Sequence, residues 1–256
     1  MGSEPHSFVG RLTASALGNI DQKDRNHYLS LMDDAFIAAP PVYGEKWFGD
    51  MFRTLGRNAD WVASLMASDS YMEGYSAGRL WQYAGVLDDA PLSQAMLRHA
   101  DDEARHSRIF TKTLFKTFPS LETPALHDEL SRNAPDLAHH PSYPDDFPCP
   151  SEEEILNSMI LINLFEIKAL VLGKLMQPLA VAHAPEGNKR VVERMLGAIV
   201  GDEAHHIRYS ADVIEQACRQ GHRDFVATAL RDFQQTLNEV TARELHDEPT
   251  QDAYPL

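Results

Sequence analysis

Hydrophobic residues recur at helical spacing over most of the chain. Apolar positions three and four residues apart place their side chains on one face of a helix, so they predict a series of helical segments. The segments span residues 25–38, 58–86, 91–118, 124–132, 151–176, 186–220 and 222–245. No run of alternating apolar residues is bounded by turn dipeptides, which argues against β-strands. We therefore predict an all-α protein.

The ends of several segments carry helix start and stop signals. Asn58 precedes the second segment, and Pro91 suits the first turn of the third, where its missing N–H costs nothing. Ser151 followed by Glu154 predicts a capping box at the start of the fifth segment. Because proline clashes inside helices, Pro178 predicts the end of that segment.

A proline-rich stretch separates the long segments into two pairs. Residues 119–150 carry prolines throughout, so we expect mostly loop there, with one short helix. Four long helices with one long crossover between the second and third form a known bundle topology. We predict such a bundle over residues 58–245, an N-terminal extension over 1–57 that packs on it, and a polar tail over 246–256. Extra helices then flank the bundle at both ends.

Charge and cysteine content narrow the classes of function. The formal net charge of -15 repels phosphate backbones, so we expect no nucleic-acid partner. The two cysteines, Cys149 and Cys218, lie far apart, which suits a reducing cytoplasm and excludes a disulfide scaffold. No secretory signal and no uninterrupted apolar run of about 18 residues is present, so we expect a cytoplasmic protein without a membrane span.

The candidate chemistry lies in a motif that occurs twice. The sequence Asp102-Glu103-Ala104-Arg105-His106 lies in the 91–118 segment, and Asp202-Glu203-Ala204-His205-His206 lies in the 186–220 segment. Positions i and i+3 share one face of a helix, so each Glu–His pair can reach one metal ion. A lone Glu-x-x-His is a weak signal in a chain with 12 histidines. Its repetition behind an aspartate on corresponding helices is a specific one.

Single glutamates on the other two long helices complete the pattern. Glu73 lies within residues 58–86, and Glu166 lies within an apolar run of residues 161–167. A buried carboxylate costs free energy unless it is paired, and a metal ion removes that cost. One glutamate from each of two helices, with Glu-x-x-His from each of two others, is the ligand set of di-iron and di-manganese bundles. The predicted metal ligands are Glu73, Glu103, His106, Glu166, Glu203 and His206.

Over about residues 58–215, this pattern resembles the ferritin-like di-iron carboxylate superfamily. It is most similar to the oxygen-activating branch, which includes bacterial multicomponent monooxygenases, the small subunit of ribonucleotide reductase and the p-aminobenzoate N-oxygenases. The resemblance implies two iron ions, with manganese as an alternative, and O2 as co-substrate. It also implies that the catalytic Glu103 and Glu203 bridge or chelate the metals. Asp102 and Asp202 are then expected to hydrogen-bond the ligating imidazoles.

Three positions depart from the members of that branch. His205 stands where the monooxygenases carry an arginine before the second ligand histidine. Phe110 stands where the reductase carries its radical tyrosine, so we expect no stable tyrosyl radical. The N-oxygenases have an extra ligand histidine four residues before the second motif glutamate, where this chain has Ile199. Instead, His99 lies four residues before Glu103 on the other motif helix. We predict that His99 supports the ligands, with metal ligation and solvent exposure as the alternatives.

Other polar residues lie within one turn of the predicted ligands. Asp69 precedes the ligand of its helix by one turn, and it is either a hydrogen-bonding neighbour of the site or a solvated residue. Tyr209 follows the last ligand by three residues, and it is either a packed side chain or a redox relay. Asn163 is a candidate pocket residue, and His205 is expected to face away from the metals.

Three classes of function fit these expectations. We favour an enzyme that activates O2 to hydroxylate, N-oxygenate or desaturate a small organic substrate, with electrons from a reductase or ferredoxin. A ferroxidase or iron-handling protein is less favoured, because storage subunits are usually shorter and lack a proline-rich crossover. A non-catalytic scaffold subunit is also less favoured, because decayed sites usually lose their ligands. The sequence allows a homodimer.

Overall fold

The computed structural model describes residues 7–18, 25–133 and 149–246, and within these ranges the chain is helical and has no β-strand. The prediction of an all-α protein is therefore confirmed. The α-helices are α1 (Phe8–Leu17), α2 (Asn26–Ala38), α3 (Lys46–Leu55), α4 (Ala59–Ala84), α5 (Ala90–Thr117), α6 (Pro124–Asn133), α7 (Glu152–His183), α8 (Lys189–Ala217) and α9 (Arg223–His246). A π-type turn, Cys218–His222, joins α8 to α9, and Gly221 within it has a φ of 105° that favours glycine.

Several predicted boundaries are confirmed by hydrogen bonds. The Asn58 Oδ1 atom accepts from the backbone N–H of Asp60 at 2.9 Å and caps α4. The Ser151 N–H donates to Glu154 Oε2 at 2.7 Å, and the Glu154 N–H donates to Ser151 Oγ at 3.3 Å. This is the reciprocal capping box predicted for α7. The Ser151 hydroxyl also donates to Glu154 Oε2 at 2.8 Å, and the two bonds that this carboxylate accepts from Ser151 lower the pKa of Glu154.

The prediction that Pro178 ends its helix is wrong. Helix α7 continues through this proline to His183. Proline removes one backbone donor, so the carbonyl of Lys174, four residues earlier, loses its helical partner. Both residues are exposed, and water can therefore hydrate the released carbonyl.

Parts of the predicted organisation fall outside the described residues. Helix α6 lies where the short helix of the crossover was predicted, but residues 134–148 of that crossover are not described. The same is true of residues 247–256 in the predicted tail. The domain boundaries, the crossover topology and the ferritin-like arrangement stay predictions.

The chain divides into two compact units. The boundaries between them fall within α3, just before α7, within α7 and within α8. The first unit comprises Met1–Phe52, Ser151–Lys174 and Val200–Pro255, and the second comprises Arg53–Pro150 and Leu175–Ile199. The described part of each unit carries its own buried core. Tyr28, Phe36, Ile160, Leu164 and Ile207 are among the fully buried side chains of the first, and Val62, Met66, Met96, Ala104 and Leu114 are among those of the second.

In the second unit, α4 and α5 pack as an antiparallel pair. Near their short connection, Ser93 Oγ donates to the carbonyl of Ala84 at 2.7 Å. Further along, Ser70 Oγ donates to the carbonyl of Ser107 at 2.9 Å. From the first contact to the second, the residue number falls on α4 and rises on α5. The two helices therefore run in opposite directions, as is expected for helices joined by a short connection.

In the first unit, the N-terminal part of α7 packs antiparallel to the C-terminal part of α8. Asn163 Nδ2 donates to Ser210 Oγ at 2.8 Å, and a Cβ atom at Gly173 would lie 3.0 Å from Val200 Cγ2. Among the described residues, α7 is also the helix whose length and composition would suffice to cross a membrane. A buried core helix meets the same criteria, and 56% of its most apolar window is buried.

Candidate metal centre

Helices α4 and α5 bring a glutamate and a Glu-x-x-His motif together in the second unit. His106 Nδ1 lies 3.5 Å from Glu73 Oε2 and 3.5 Å from Glu103 Oε1. These donor atoms all lie within 4.8 Å of one another. We call Glu73, Glu103 and His106 the α4/α5 cluster.

Helices α7 and α8 bring a glutamate and the second Glu-x-x-His motif together in the first unit. His206 Nδ1 lies 3.3 Å from Glu166 Oε2 and 3.4 Å from Glu203 Oε2. We call Glu166, Glu203 and His206 the α7/α8 cluster. Each cluster therefore combines one imidazole with carboxylates from two helices.

The sequence places these donors inside the units because they share a face with core residues. On α5, Met96, Ala100, Glu103, Ala104 and Phe110 are all buried at helical spacing. Glu103 is 6% exposed and Glu203 is 2% exposed, although glutamate is almost never fully buried unless it is paired. Both motif histidines are also buried.

The imidazole-to-carboxylate distances and the donor types of both clusters fit a divalent transition-metal ion. Two donors bound at about 2.1 Å to one ion lie about 3.0–3.4 Å apart at angles of about 90–110°. The imidazole-to-carboxylate distances of 3.3–3.5 Å approach that spacing and are longer than good hydrogen bonds. Mixed carboxylate and imidazole donors suit iron or manganese, and the absence of thiolates disfavours a structural zinc site.

Behind the α4/α5 cluster lies a group of buried hydroxyls. Ser70 Oγ donates to the carbonyl of Ser107, and Ser107 Oγ donates to the carbonyl of Ser70 at 2.6 Å. Ser70 Oγ also lies 2.8 Å from Thr111 Oγ1. Ser70 is three residues before Glu73, and Ser107 directly follows His106. These bonds therefore join the two ligand-bearing helices one turn from the donors.

Behind the α7/α8 cluster, the same position holds an amide. Asn163, three residues before Glu166, donates through Nδ2 to the carbonyl of Ile207 at 3.2 Å and to Ser210 Oγ at 2.8 Å. Its Oδ1 accepts from the Tyr28 hydroxyl of α2 at 2.8 Å. Burial raises the pKa of Tyr28 far above its ordinary value, so the hydroxyl remains a donor.

Tyr28 is anchored in turn by a buried carboxylate. Its backbone N–H donates to Glu215 Oε2 at 2.9 Å, and the other oxygen of Glu215 contacts His27 at 2.9 Å and Arg219 at 3.0 Å. Burial alone would raise the pKa of Glu215, but the bonds from Tyr28, His27 and Arg219 outweigh it and lower the pKa.

His99 lies beside the α4/α5 cluster. Its side chain is buried, and its Nε2 lies 3.4 Å from Glu103 Oε1. Of the alternatives for this residue, support of a ligand and ligation of a metal fit that position, and solvent exposure does not. The equivalent position on the other motif helix is the buried Ile199.

The other residues predicted near the ligands are half-buried or exposed, and their roles stay predictions. Asp69, Asp202 and Tyr209 are half-buried. Asp102 pairs with Arg105 on its own helix, and its bond to an imidazole stays a prediction. His205 is exposed, and its Nδ1 lies 3.2 Å from the carbonyl of Gly201 on its own helix.

Sequence reasoning missed Ser70 and Tyr28. A serine in an amphipathic helix and a tyrosine in a modest one carry no local signal of function. The available signal was positional, because Ser70 and Asn163 each precede a single ligand glutamate by three residues. This equivalence is seen only when the sequence around Glu73 is aligned with the sequence around Glu166.

The chain was compared with protein-family models, with curated proteins and with solved structures, and none of the three comparisons found a match. The two clusters and the motif resemblance are therefore the observations that bear on function.

Proposed function

We propose that the protein is a non-haem di-iron oxygenase or oxidase that uses O2 to oxidise a small organic substrate. The observation that carries this proposal is the repetition of one donor geometry. In each cluster, an imidazole Nδ1 lies 3.3–3.5 Å from carboxylate oxygens of two helices. Each cluster would hold one iron ion, which gives the two iron ions per chain that the resemblance implies.

The charge of the donors supports two divalent ions. Glu73, Glu103, Glu166 and Glu203 together carry the negative charge that balances two divalent cations when all are ionised. Without cations, the two carboxylates of each cluster would repel each other and pay the cost of desolvation. Each cluster with one divalent cation would therefore be electrically neutral.

The side chains would bind and orient the ions while leaving room for reactants. Three protein donors in each cluster leave coordination positions open, as in catalytic metal sites. Burial of His106 and His206 keeps bulk water from the donors. Bound iron would supply the electron transfer to O2 that protein side chains cannot perform.

The stoichiometry of the proposed reaction determines how many electrons a partner protein must supply. Hydroxylation places one oxygen atom of O2 in the product and releases the other as water. The balance requires two electrons and two protons beyond those of the substrate bond, so we propose a reductase or ferredoxin as the donor.

An anaerobic iron titration followed by rapid mixing with O2 tests the proposal. We expect a transient visible absorption band in the wild-type protein and in His205→Ala, whose exposed side chain serves as the matched control. His206→Ala should lack the band. Absence of any O2-dependent change in the iron-loaded wild type would contradict the proposal and favour a scaffold. Continued uptake of many iron ions per chain would instead favour iron handling.

A further inference from the structure

The two clusters share one polar contact besides their donors. Ser70 Oγ donates to the carbonyl of Ser107, and Asn163 Nδ2 donates to the carbonyl of Ile207. Each donor precedes the single ligand glutamate of its helix by three residues. Each acceptor carbonyl belongs to the residue directly after the motif histidine. The same hydrogen bond therefore joins α4 to α5 and α7 to α8, although a serine donates it in one pair and an asparagine in the other.

We propose that Ser70 and Asn163 are equivalent positioning residues that fix the register of ligand glutamate against ligand histidine in their clusters. The proposal rests on the proposed metal binding and adds residues outside the predicted ligand set. It assigns Tyr28 the role of holding the Asn163 amide in the orientation that donates toward α8.

The contact fixes register because both its ends are rigidly linked to ligands. Positions i and i+3 of a helix lie on one face, so Ser70 moves with Glu73. The carbonyl of Ser107 is one peptide unit from His106. A slip of one residue along a helix is about 1.5 Å, which would break the contact and change the imidazole-to-carboxylate spacing.

Burial makes the contact selective for one register. Ser70 and Asn163 are both 0% exposed, so water cannot replace a broken bond. An apolar side chain at either position would also fill space, but it would tolerate sliding, since dispersion contacts have little directionality. A hydrogen bond to one carbonyl has a narrow range of distance and angle.

The α7/α8 contact has an additional constraint from α2. The Tyr28 hydroxyl donates to Asn163 Oδ1 at 2.8 Å, so the amide must direct Nδ2 toward Ile207 and Ser210. Ser210 Oγ donates onward to the carbonyl of His206 at 2.7 Å. The chain of bonds therefore runs from α2 to the backbone of the ligand histidine.

The test is an anaerobic titration of the metal-free full chain with Co²⁺, followed by visible absorption and calorimetry. Absorption of Co²⁺ reports coordination geometry without requiring activity. We expect Ser70→Ala and Asn163→Leu each to weaken one of the two equivalents by about 10–100-fold and to change its spectrum. Ser70→Thr retains the hydroxyl and should restore most of the affinity.

Two buried tyrosines of the first unit provide a milder variant and its matched control. Tyr28 and Tyr43 are 0% and 2% exposed, and the Tyr43 hydroxyl contacts Gln234 on α9, which carries no predicted ligand. Tyr28→Phe should weaken one equivalent by about 10-fold, at the lower limit for outer partners of ligands. Tyr43→Phe should bind Co²⁺ as the wild type does, although both variants lose stability.

The outcomes separate this inference from the proposed function. Binding of fewer than two equivalents by the wild type would count against the proposed function itself. Two equivalents in the wild type, with unchanged affinity and spectra in Ser70→Ala and Tyr28→Phe, would overturn the positioning role alone. Equal effects of Tyr28→Phe and Tyr43→Phe on binding would also overturn it.

Discussion

The α4/α5 and α7/α8 clusters present the same donors but are supported by different groups. Behind Glu73, the hydroxyls of Ser70, Ser107 and Thr111 bond within the α4 and α5 pair. Behind Glu166, the Asn163 amide connects α7 and α8 to Tyr28 on α2. The donor geometry is therefore held constant while its polar support follows the neighbours available in each unit.

A second difference concerns the residue one turn before the motif glutamate. In the α4/α5 cluster it is His99, whose Nε2 lies 3.4 Å from Glu103. On α8 it is the apolar Ile199. The α4/α5 cluster thus has an additional nitrogen donor beside it, and the two metal positions are expected to differ in affinity.

Loss of a motif glutamate should have the largest effect and should affect the two clusters alike. We expect Glu103→Ala and Glu203→Ala each to reduce reductant-dependent O2 consumption by more than the 10–100-fold typical of outer partners. Helix content by circular dichroism should be retained, because the apolar faces stabilise the helices. Near-normal turnover in either variant would show that the cluster assignment is wrong.

Substitution of His99 should have the next largest effect, and it should affect the α4/α5 cluster alone. We expect His99→Ala to lower metal affinity by about 10–100-fold at one equivalent, since a buried partner of a ligand is lost. His205→Ala is the control, because that imidazole is exposed and contacts its own helix. Wild-type affinity in His99→Ala would exclude a supporting role, and loss of one whole equivalent would identify His99 as a ligand.

The anchor of Tyr28 should make the stability of the first unit depend on pH. The folded-state pKa of Glu215 is lowered, so its ionised form stabilises the fold above the unfolded pKa of about 4.3. Glu215→Gln should reduce the free energy of unfolding by about 1.5–3 kcal/mol at neutral pH. The difference from wild type should shrink as pH falls below about 4, as followed by urea unfolding. A difference that grows on acidification would contradict this account.

The helix caps should show the smallest effects and should leave metal binding unchanged in both units. Asn58→Ala removes the cap of α4, and Ser151→Ala removes half of the capping box of α7. Each should lower the free energy of unfolding by about 1 kcal/mol. Altered metal stoichiometry in either variant would mean that the helix ends influence the clusters.

The motif residues were predictable because helical spacing alone brings Glu103 to His106 and Glu203 to His206. Pairing these with Glu73 and Glu166 required a known ligand pattern, since periodicity does not specify which helices meet. Other elements gave weaker signals. The buried face of α1 combines Val9 and Leu17 with Gly10, Thr13 and Ala14, so small and polar residues interrupt its hydrophobic stripe.

The supporting residues were less predictable because their role arises from contacts distant in sequence. Tyr28 meets Asn163 across 135 positions, and no local pattern encodes that contact. The prediction at Pro178 failed for a different reason. Proline usually ends a helix, but α7 continues because water can hydrate the carbonyl that loses its helical partner.

The most direct test of the account is an equilibrium titration of the metal-free protein with Fe²⁺ in the absence of O2, followed by metal analysis after removal of excess ion. Two similar clusters predict two tightly bound iron ions per chain in the wild type. His106→Ala and His206→Ala should each bind fewer. One ion or none in the wild type at saturating iron would contradict the account.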